Sequence, residues 1–214
     1  MDGNGRWAIK NNKKKKDGHK EGIKACIKLI KSLDKLDVHI DELSFYVFSS
    51  ENWNRPLGEI KNLFKMIEEY YKEFELAADN KNLKIRHYGS RNKLSKKILN
   101  IIDKVTKKTN KHTSSCINLF FNYGSRDEII NAIKKSNIKN INKKRLTKNL
   151  YTYQSKDPDL IIRTGGEYRL SNFLLWQSAY SELYFTKKLW PDFNITDLKK
   201  ILLNFKKRNR NFGK

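Results

Sequence analysis

Seven residues at the start of the chain, Met1-Asp2-Gly3-Asn4-Gly5-Arg6-Trp7, set a carboxylate, two glycines, an amide, a guanidinium and an indole side by side. Glycine lets a backbone turn tightly enough to aim its N–H groups at an anion. Arg6 adds a planar fork of donors that matches phosphate oxygens. Asp2 adds a hard oxygen ligand of the kind magnesium takes beside phosphates. The chemistry this set fits is the grip of a metal-bound phosphate. Taken alone, so short a motif also describes an exposed terminal turn. Further polar segments decide between the two: Ser49-Ser50-Glu51-Asn52-Trp53-Asn54-Arg55-Pro56, Asn122-Tyr123-Gly124, and the stretch from Arg163-Thr164-Gly165-Gly166-Glu167 to Ser171.

These segments must be carried by regular elements, and the pattern supplies them. After the lysine run, Gly18-His19 leads into a helix with Ile23, Ile27, Ile30 and Leu33 at helical spacing. A strand over 43–48 ends in the polar block 49–56, and Pro56 introduces a helix from about Leu57 into Ala77-Ala78. A strand over 83–88 stops at Gly89, a helix covers roughly 93–107, and a strand over 116–121 closes at Asn122-Tyr123-Gly124. Helix resumes at Arg126. Residues 136–157 are rich in Lys and Asn, with a short helix expected near Leu146. Strands over 159–163 and 182–185 follow, and a closing helix carries Leu198, Ile201, Leu202 and Phe205. This order predicts one α/β domain over 1–214 with a mostly parallel central sheet flanked by helices. Loops that follow parallel strands gather at their carboxyl ends, where α/β folds bind ligands. Distant polar segments then converge on one rim.

Composition excludes less than it suggests. The chain holds 46 Lys+Arg against 23 Asp+Glu, a formal net charge of +23. Such a charge suits nucleic acid, anionic membrane or phosphorylated substrates. Lysine and asparagine are enriched together, as in Lys13-Lys14-Lys15-Lys16 and Asn137-Ile138-Lys139-Asn140; an AT-rich genome produces that bias on solvated faces without any partner. The clearest basic run holds no aromatic residue, against what single-strand nucleic-acid binding needs. Cys26 and Cys116 stand alone, without metal-ligand spacing, which fits a reducing, cytoplasmic setting. No apolar run reaches membrane-spanning length and no signal peptide is visible.

The segments quoted above, with Gly18-His19-Lys20, Asp159-Leu160-Ile161-Ile162, Ser171-Asn172-Phe173-Leu174-Leu175-Trp176-Gln177, Glu182-Leu183-Tyr184-Phe185 and Trp190-Pro191-Asp192-Phe193, resemble the cis-prenyltransferase family, close to bacterial undecaprenyl diphosphate synthases. The motifs stand in the family's order over nearly the whole chain. The resemblance implies a magnesium-dependent enzyme that adds isopentenyl diphosphate units to an allylic diphosphate, usually farnesyl diphosphate, through new cis double bonds. It also implies a homodimer and, through a long lipid product, work at the inner membrane surface from the cytoplasm. Nucleic acid is not an expected partner.

Residue by residue, the resemblance gives Asp2 the magnesium and Gly3, Asn4, Gly5 and Arg6 the allylic diphosphate. Trp7 packs either beside the prenyl chain or in the core. His19 donates to the same diphosphate. Lys15 stands where the family usually carries arginine, which keeps the charge and loses the fork. Ser49, Ser50, Glu51 and Asn52 form a polar loop; Asn52 is placed at proton removal, but a neutral amide is a poor base, and positioning a diphosphate or a water is the other reading. Trp53 and Arg55 flank the allylic substrate or form a turn stapled onto the next helix, and both can hold. Arg163, Arg169, Leu170 and Ser171 match the isopentenyl diphosphate site, and Glu182 matches an acid linked to magnesium and to the partner subunit. The apolar stripes of the helices near 20–36 and 57–78 are the expected walls of a prenyl tunnel. A non-catalytic partner subunit is disfavoured, because Asp2, Arg6, Asn52, Arg163, Arg169 and Ser171 are all present. The ending Arg210-Asn211-Phe212-Gly213-Lys214 lacks the Arg-X-Gly of heteromeric members and favours the homodimer. The family carries a strand directly before the Asp2 loop; the expectation here is that Met1 is internal and this strand lies upstream.

Overall fold

The computed structural model describes residues 1–136 and 140–208. The chain ending used above to favour a homodimer lies outside the described residues. The elements run α1 (Asn4–Lys10), α2 (Lys15–Lys31), β1 (Glu42–Ser49), α3 (Leu57–Asp79), β2 (Leu83–Tyr88), α4 (Lys96–Thr109), β3 (Ser115–Tyr123), α5 (Ser125–Lys135), α6 (Lys143–Asn149), β4 (Leu160–Arg163), β5 (Glu182–Phe185) and α7 (Ile195–Lys206). Every strand pairing is parallel, and helices flank the sheet, so the expected α/β class holds.

The strands form two ladders. β3 is central between β1 and β2, and β4 pairs with β5. Buried on both sides, β3 is almost continuously apolar, with Ile117, Phe120 and Phe121 in the core. α2, α3 and α7 pack their apolar stripes here: Ile27, Leu29 and Ile30 from α2, Ala77 and Ala78 from α3, Leu198 and Ile201 from α7, with Trp190 and Phe193. A second cluster joins Phe48, Ile60, Leu94, Ile98 and Phe121. The α2 and α3 stripes expected to wall a tunnel are therefore mostly core.

A cavity of about 1180 Å³ separates β1 from β4, and both strands line it along their length. Met1 packs against the main core. Leu198, Leu202 and Phe205 of α7 close one side of the cavity.

Two boundaries differ from expectation, both near the first motif. Asn4 to Lys10 is helical where a loop was expected, and α2 begins at Lys15, before Gly18. The cause is close packing of α1 on α2. A Cβ on Gly18 would stand 2.0 Å from the Asn4 carbonyl oxygen, so only glycine lets the two backbones meet. Asp17 closes the start of α2 by accepting the Lys14 backbone N–H at 3.1 Å. α6 falls where a short helix near Leu146 was expected.

Candidate active site

The first motif, the loop after β1 and the loop after β4 meet at the carboxyl end of the strands. Asp2 is the centre. Its backbone is stitched to the end of β4: the Asp2 N–H donates to Thr164 Oγ1 at 2.9 Å, the Thr164 hydroxyl donates back to the Asp2 carbonyl at 2.9 Å, and the Trp190 N–H donates to the same carbonyl at 3.0 Å. Gly165, in the left-handed region at φ 91°, lies against this loop; a Cβ there would come within 2.7 Å of Arg6 Nη2. The Asp2 carboxylate accepts the Gly3 N–H at 2.7 Å and Arg163 Nη2 at 2.9 Å, with Arg6 Nη2 at 3.4 Å. Burial alone would raise the Asp2 pKa, but the bond to Arg163, the charge of Arg163, the Gly3 N–H and Arg6 together hold it below the usual value.

Cations surround Asp2 in two groups. On one side Lys15 Nζ and Arg55 Nη1 meet the carboxylate of Glu59 at 2.7 and 2.9 Å, and His19 Nε2 lies 4.0 Å from it. Burial lowers the His19 pKa; Glu59 opposes the shift, while Arg55 and Lys15 add to it. Glu59 is ionised, because Lys15 and Arg55 outweigh the burial that would raise its pKa. On the other side Arg163 Nη1 donates to Ser171 Oγ at 2.8 Å and to the Arg169 carbonyl. Glu167 bridges the groups, accepting Arg6 at 3.3 Å and Arg169 at 2.6 Å. Ser171, Asn172 and Leu174 all take positive φ, a strained stretch that the neighbouring loops hold in place. Asn172 donates to Glu51 at 2.6 Å and accepts the Arg126 backbone N–H at 2.9 Å.

The cavity is lined by Asp2, Gly3, Asn4, Gly5, Arg6, Lys15, His19, Ser49, Asn52, Arg55, Arg163, Arg169, Leu170 and Ser171, all of which the sequence proposed. Other proposed residues sit elsewhere. Trp7 does not line the cavity: its indole donates to Asp192 at 2.6 Å and Lys13 lies over its ring, because α1 turns that face outward. Trp53 points behind its turn, edge-on to Phe48 and Phe64. Ser50 and Glu51 are second to the rim, Ser50 donating to Glu51 and Glu51 held by Asn172. Asn52 accepts the Ser49 backbone N–H through Oδ1 at 3.1 Å, which engages one of the two lone pairs of that oxygen and fixes the amide's orientation. Glu182 opens β5, whereas the Asp2 site adjoins the far end of the β4–β5 ladder, roughly 10 Å away along the strand. It pairs with Arg208 at 2.5 Å. Within one chain, Asp2 and Glu182 do not form a joint metal site.

Three residues with no role assigned from sequence complete the rim. Glu59 carried a signal, four residues after Arg55 at a helix start, the spacing of a helical ion pair. Glu167 and Thr164 stood inside a quoted motif, but their partners Arg6 and Asp2 are more than 160 residues away in sequence. As to metal, no cluster of three or more His, Cys, Asp or Glu side chains stands ready among the described residues. Magnesium does not need one: it commonly takes one or two carboxylates, several waters and substrate phosphate oxygens. An ionised, half-exposed Asp2 beside a cationic rim fits that mode of binding.

A family model described as putative undecaprenyl diphosphate synthase matches residues 1–213. The isoprenyl transferase of Treponema denticola is 44% identical over 217 residues, spanning 100% of this chain and 94% of that protein. The isoprenyl transferase of Leptospira interrogans serogroup Icterohaemorrhagiae is 42% identical over 223 residues, spanning 100% and 92%. Among solved structures, lavandulyl diphosphate synthase from Lavandula x intermedia, in complex with dimethylallyl diphosphate, superposes with TM-score 0.93 at 29% identity over 100% of this chain and 95% of that one. A probable undecaprenyl diphosphate synthase from Campylobacter jejuni gives TM-score 0.80 at 37% identity over 91% and 92%. The chain belongs to the undecaprenyl diphosphate synthase family of isoprenyl transferases.

Proposed function

We propose that this chain condenses isopentenyl diphosphate units onto an allylic diphosphate, farnesyl diphosphate as starter, to make a long-chain polyprenyl diphosphate, the undecaprenyl precursor of a cell-wall carrier lipid. The observation that carries the reading is the pair of cationic groups on either side of Asp2 in one cavity. Two anionic substrates held side by side gain rate from proximity and orientation alone.

Arg6, Lys15, His19 and Arg55, with the N–H groups of the first turn of α1, take the allylic diphosphate. Arg163, Arg169 and Ser171 take the isopentenyl diphosphate. As the allylic C–O bond breaks, its electron pair leaves with the diphosphate, and the first group of cations stabilises the growing charge. The double bond of isopentenyl diphosphate then attacks the allylic carbon, and loss of one proton gives an allylic diphosphate five carbons longer. Asn52, a neutral amide and so a poor base, held in orientation by the Ser49 N–H, orients a diphosphate or a water rather than accepting that proton. Magnesium bound at Asp2 would neutralise charge on diphosphate oxygens. The apolar part of the cavity, from Leu29 and Leu63 to Phe205, is where the lengthening chain is placed. The working form is a cytoplasmic homodimer at the membrane surface, where Glu182 serves the partner's site and the excess of lysine favours anionic lipid. None of the described helices is long and apolar enough to cross a membrane.

Product analysis tests the reading. Labelled isopentenyl diphosphate incubated with farnesyl diphosphate should yield a ladder of polyprenyl diphosphates ending at a long chain. A single addition, or no incorporation by folded protein, would contradict it.

A further inference from the structure

Asn122 belongs to a motif that the substrate site leaves unused, and its surroundings are unlike those of an ordinary strand end. It is 5% exposed and takes a left-handed backbone, φ 55°, near the end of β3. Its side-chain NH₂ donates to the carbonyls of Ser90 and Asn92, both at 2.8 Å. Its side-chain oxygen accepts the Trp53 indole N–H at 2.8 Å. Its own carbonyl accepts the Ser90 N–H at 2.9 Å. One residue thus ties together the segments that follow β1, β2 and β3.

The amide chemistry explains why asparagine stands here. The position asks for two donors, one acceptor and tolerance of positive φ, and asparagine supplies all of them. Aspartate would set a carboxylate against two carbonyls. Trp53 is the anchor of the turn over Ser50–Asn54 and keeps clear of the cavity, while Asn52 and Arg55 on either side of it line the cavity. Any tilt of the indole is therefore transmitted to both.

We infer that Asn122 is a positioning residue, which fixes Trp53 and through it sets Asn52 and Arg55 toward the allylic diphosphate. The inference rests on the proposed function, because it assigns that turn to the allylic substrate. Asn122→Gly keeps the left-handed backbone and deletes all three side-chain bonds. Trp53→Phe deletes the one indole N–H and retains most of the ring packing. Kinetics of both variants and of the double variant, with each substrate varied in turn, separate the outcomes.

Trp53→Phe should raise KM for farnesyl diphosphate roughly fivefold, the worth of one hydrogen bond, and Asn122→Gly at least as much. KM for isopentenyl diphosphate should stay within about twofold in all variants, and the double variant should match Asn122→Gly within about twofold, since the two act as a unit. Multiplying effects in the double variant, an equal rise in both KM values, or a lowered melting temperature with unchanged KM would overturn the role of Asn122 while leaving the proposed function standing. A folded wild type that incorporates no isopentenyl diphosphate would overturn both.

Discussion

Arg163→Lys is the substitution whose outcome the geometry fixes most closely. Arg163 is 15% exposed and its guanidinium works in two directions: Nη2 to Asp2 at 2.9 Å, Nη1 to Ser171 at 2.8 Å and to the Arg169 carbonyl. A lysine ammonium keeps the charge but is a single point on a flexible stem, and it reaches one of these directions at a time. At least one charged hydrogen bond is lost, and the planar grip on a diphosphate with it. A hydrogen bond to a charged group is worth about 1.5–3 kcal/mol, and the site is partly solvated, so the loss in the transition state is about 2–3 kcal/mol. That corresponds to a fall in kcat/KM of about 30- to 150-fold. Because the proposed function assigns Arg163 to isopentenyl diphosphate, the change should appear in KM for that substrate, with KM for farnesyl diphosphate nearly unaltered. Initial rates with each substrate varied at saturating levels of the other provide the assay. The retained charge still faces Asp2, so the melting temperature should fall by less than about 4 °C, the equivalent of about 1 kcal/mol in a chain of this size. Activity within threefold of wild type, or a rise confined to KM for farnesyl diphosphate, would refute the assignment.

Other consequences follow from single contacts. Gly18→Ala forces a Cβ to 2.0 Å from the Asn4 carbonyl, so α1 must leave α2; thermal melts should show loss of about 3 kcal/mol or more, and a wild-type melting temperature would contradict the packing. The Asp2 pKa is depressed in the folded chain, so its contribution to stability is complete above the ordinary aspartate range near pH 3.9 and is lost as pH falls through the folded value. Asp2→Asn should therefore flatten the stability profile below about pH 4, and an unchanged profile would contradict the Arg163 pair.

The site was legible in sequence where a polar block follows a strand. β1, β3 and β4 lead into the blocks at Ser49, Asn122 and Arg163; parallel pairing brings the ends of β1 and β3 together, and the end of β4 joins them through the first motif, which Thr164 ties to it. Helix stripes were legible as burial but not as destination: Ile27 and Ile30 read equally as tunnel wall or core, and packing against Phe45 and Ile117 decided for core. The destinations of the two indoles in the motifs were not legible, for a common reason. Trp7 and Trp53 each carry one N–H, and where the ring goes depends on which distant acceptor meets it, Asp192 for one and Asn122 for the other. The same holds for Glu167 and Thr164. Their neighbours in sequence reveal nothing of Arg6 and Asp2, which arrive only when β4 docks beside the first motif. α1 escaped notice because Gly3 and Gly5 argue for a loop, whereas Gly3 precedes the helix with a left-handed φ of 104° and Gly5 sits inside it toward Lys15.

The most direct measurement is incorporation of labelled isopentenyl diphosphate onto farnesyl diphosphate, with magnesium and with EDTA, by the wild type and by Asp2→Ala. The account predicts long-chain product from the wild type only with magnesium, and a loss of at least about 100-fold in the variant, the scale of removing one group that stabilises charge in a transition state. Undiminished product from a folded Asp2→Ala chain, or product that does not depend on the metal, would contradict the placement of the chemistry at Asp2.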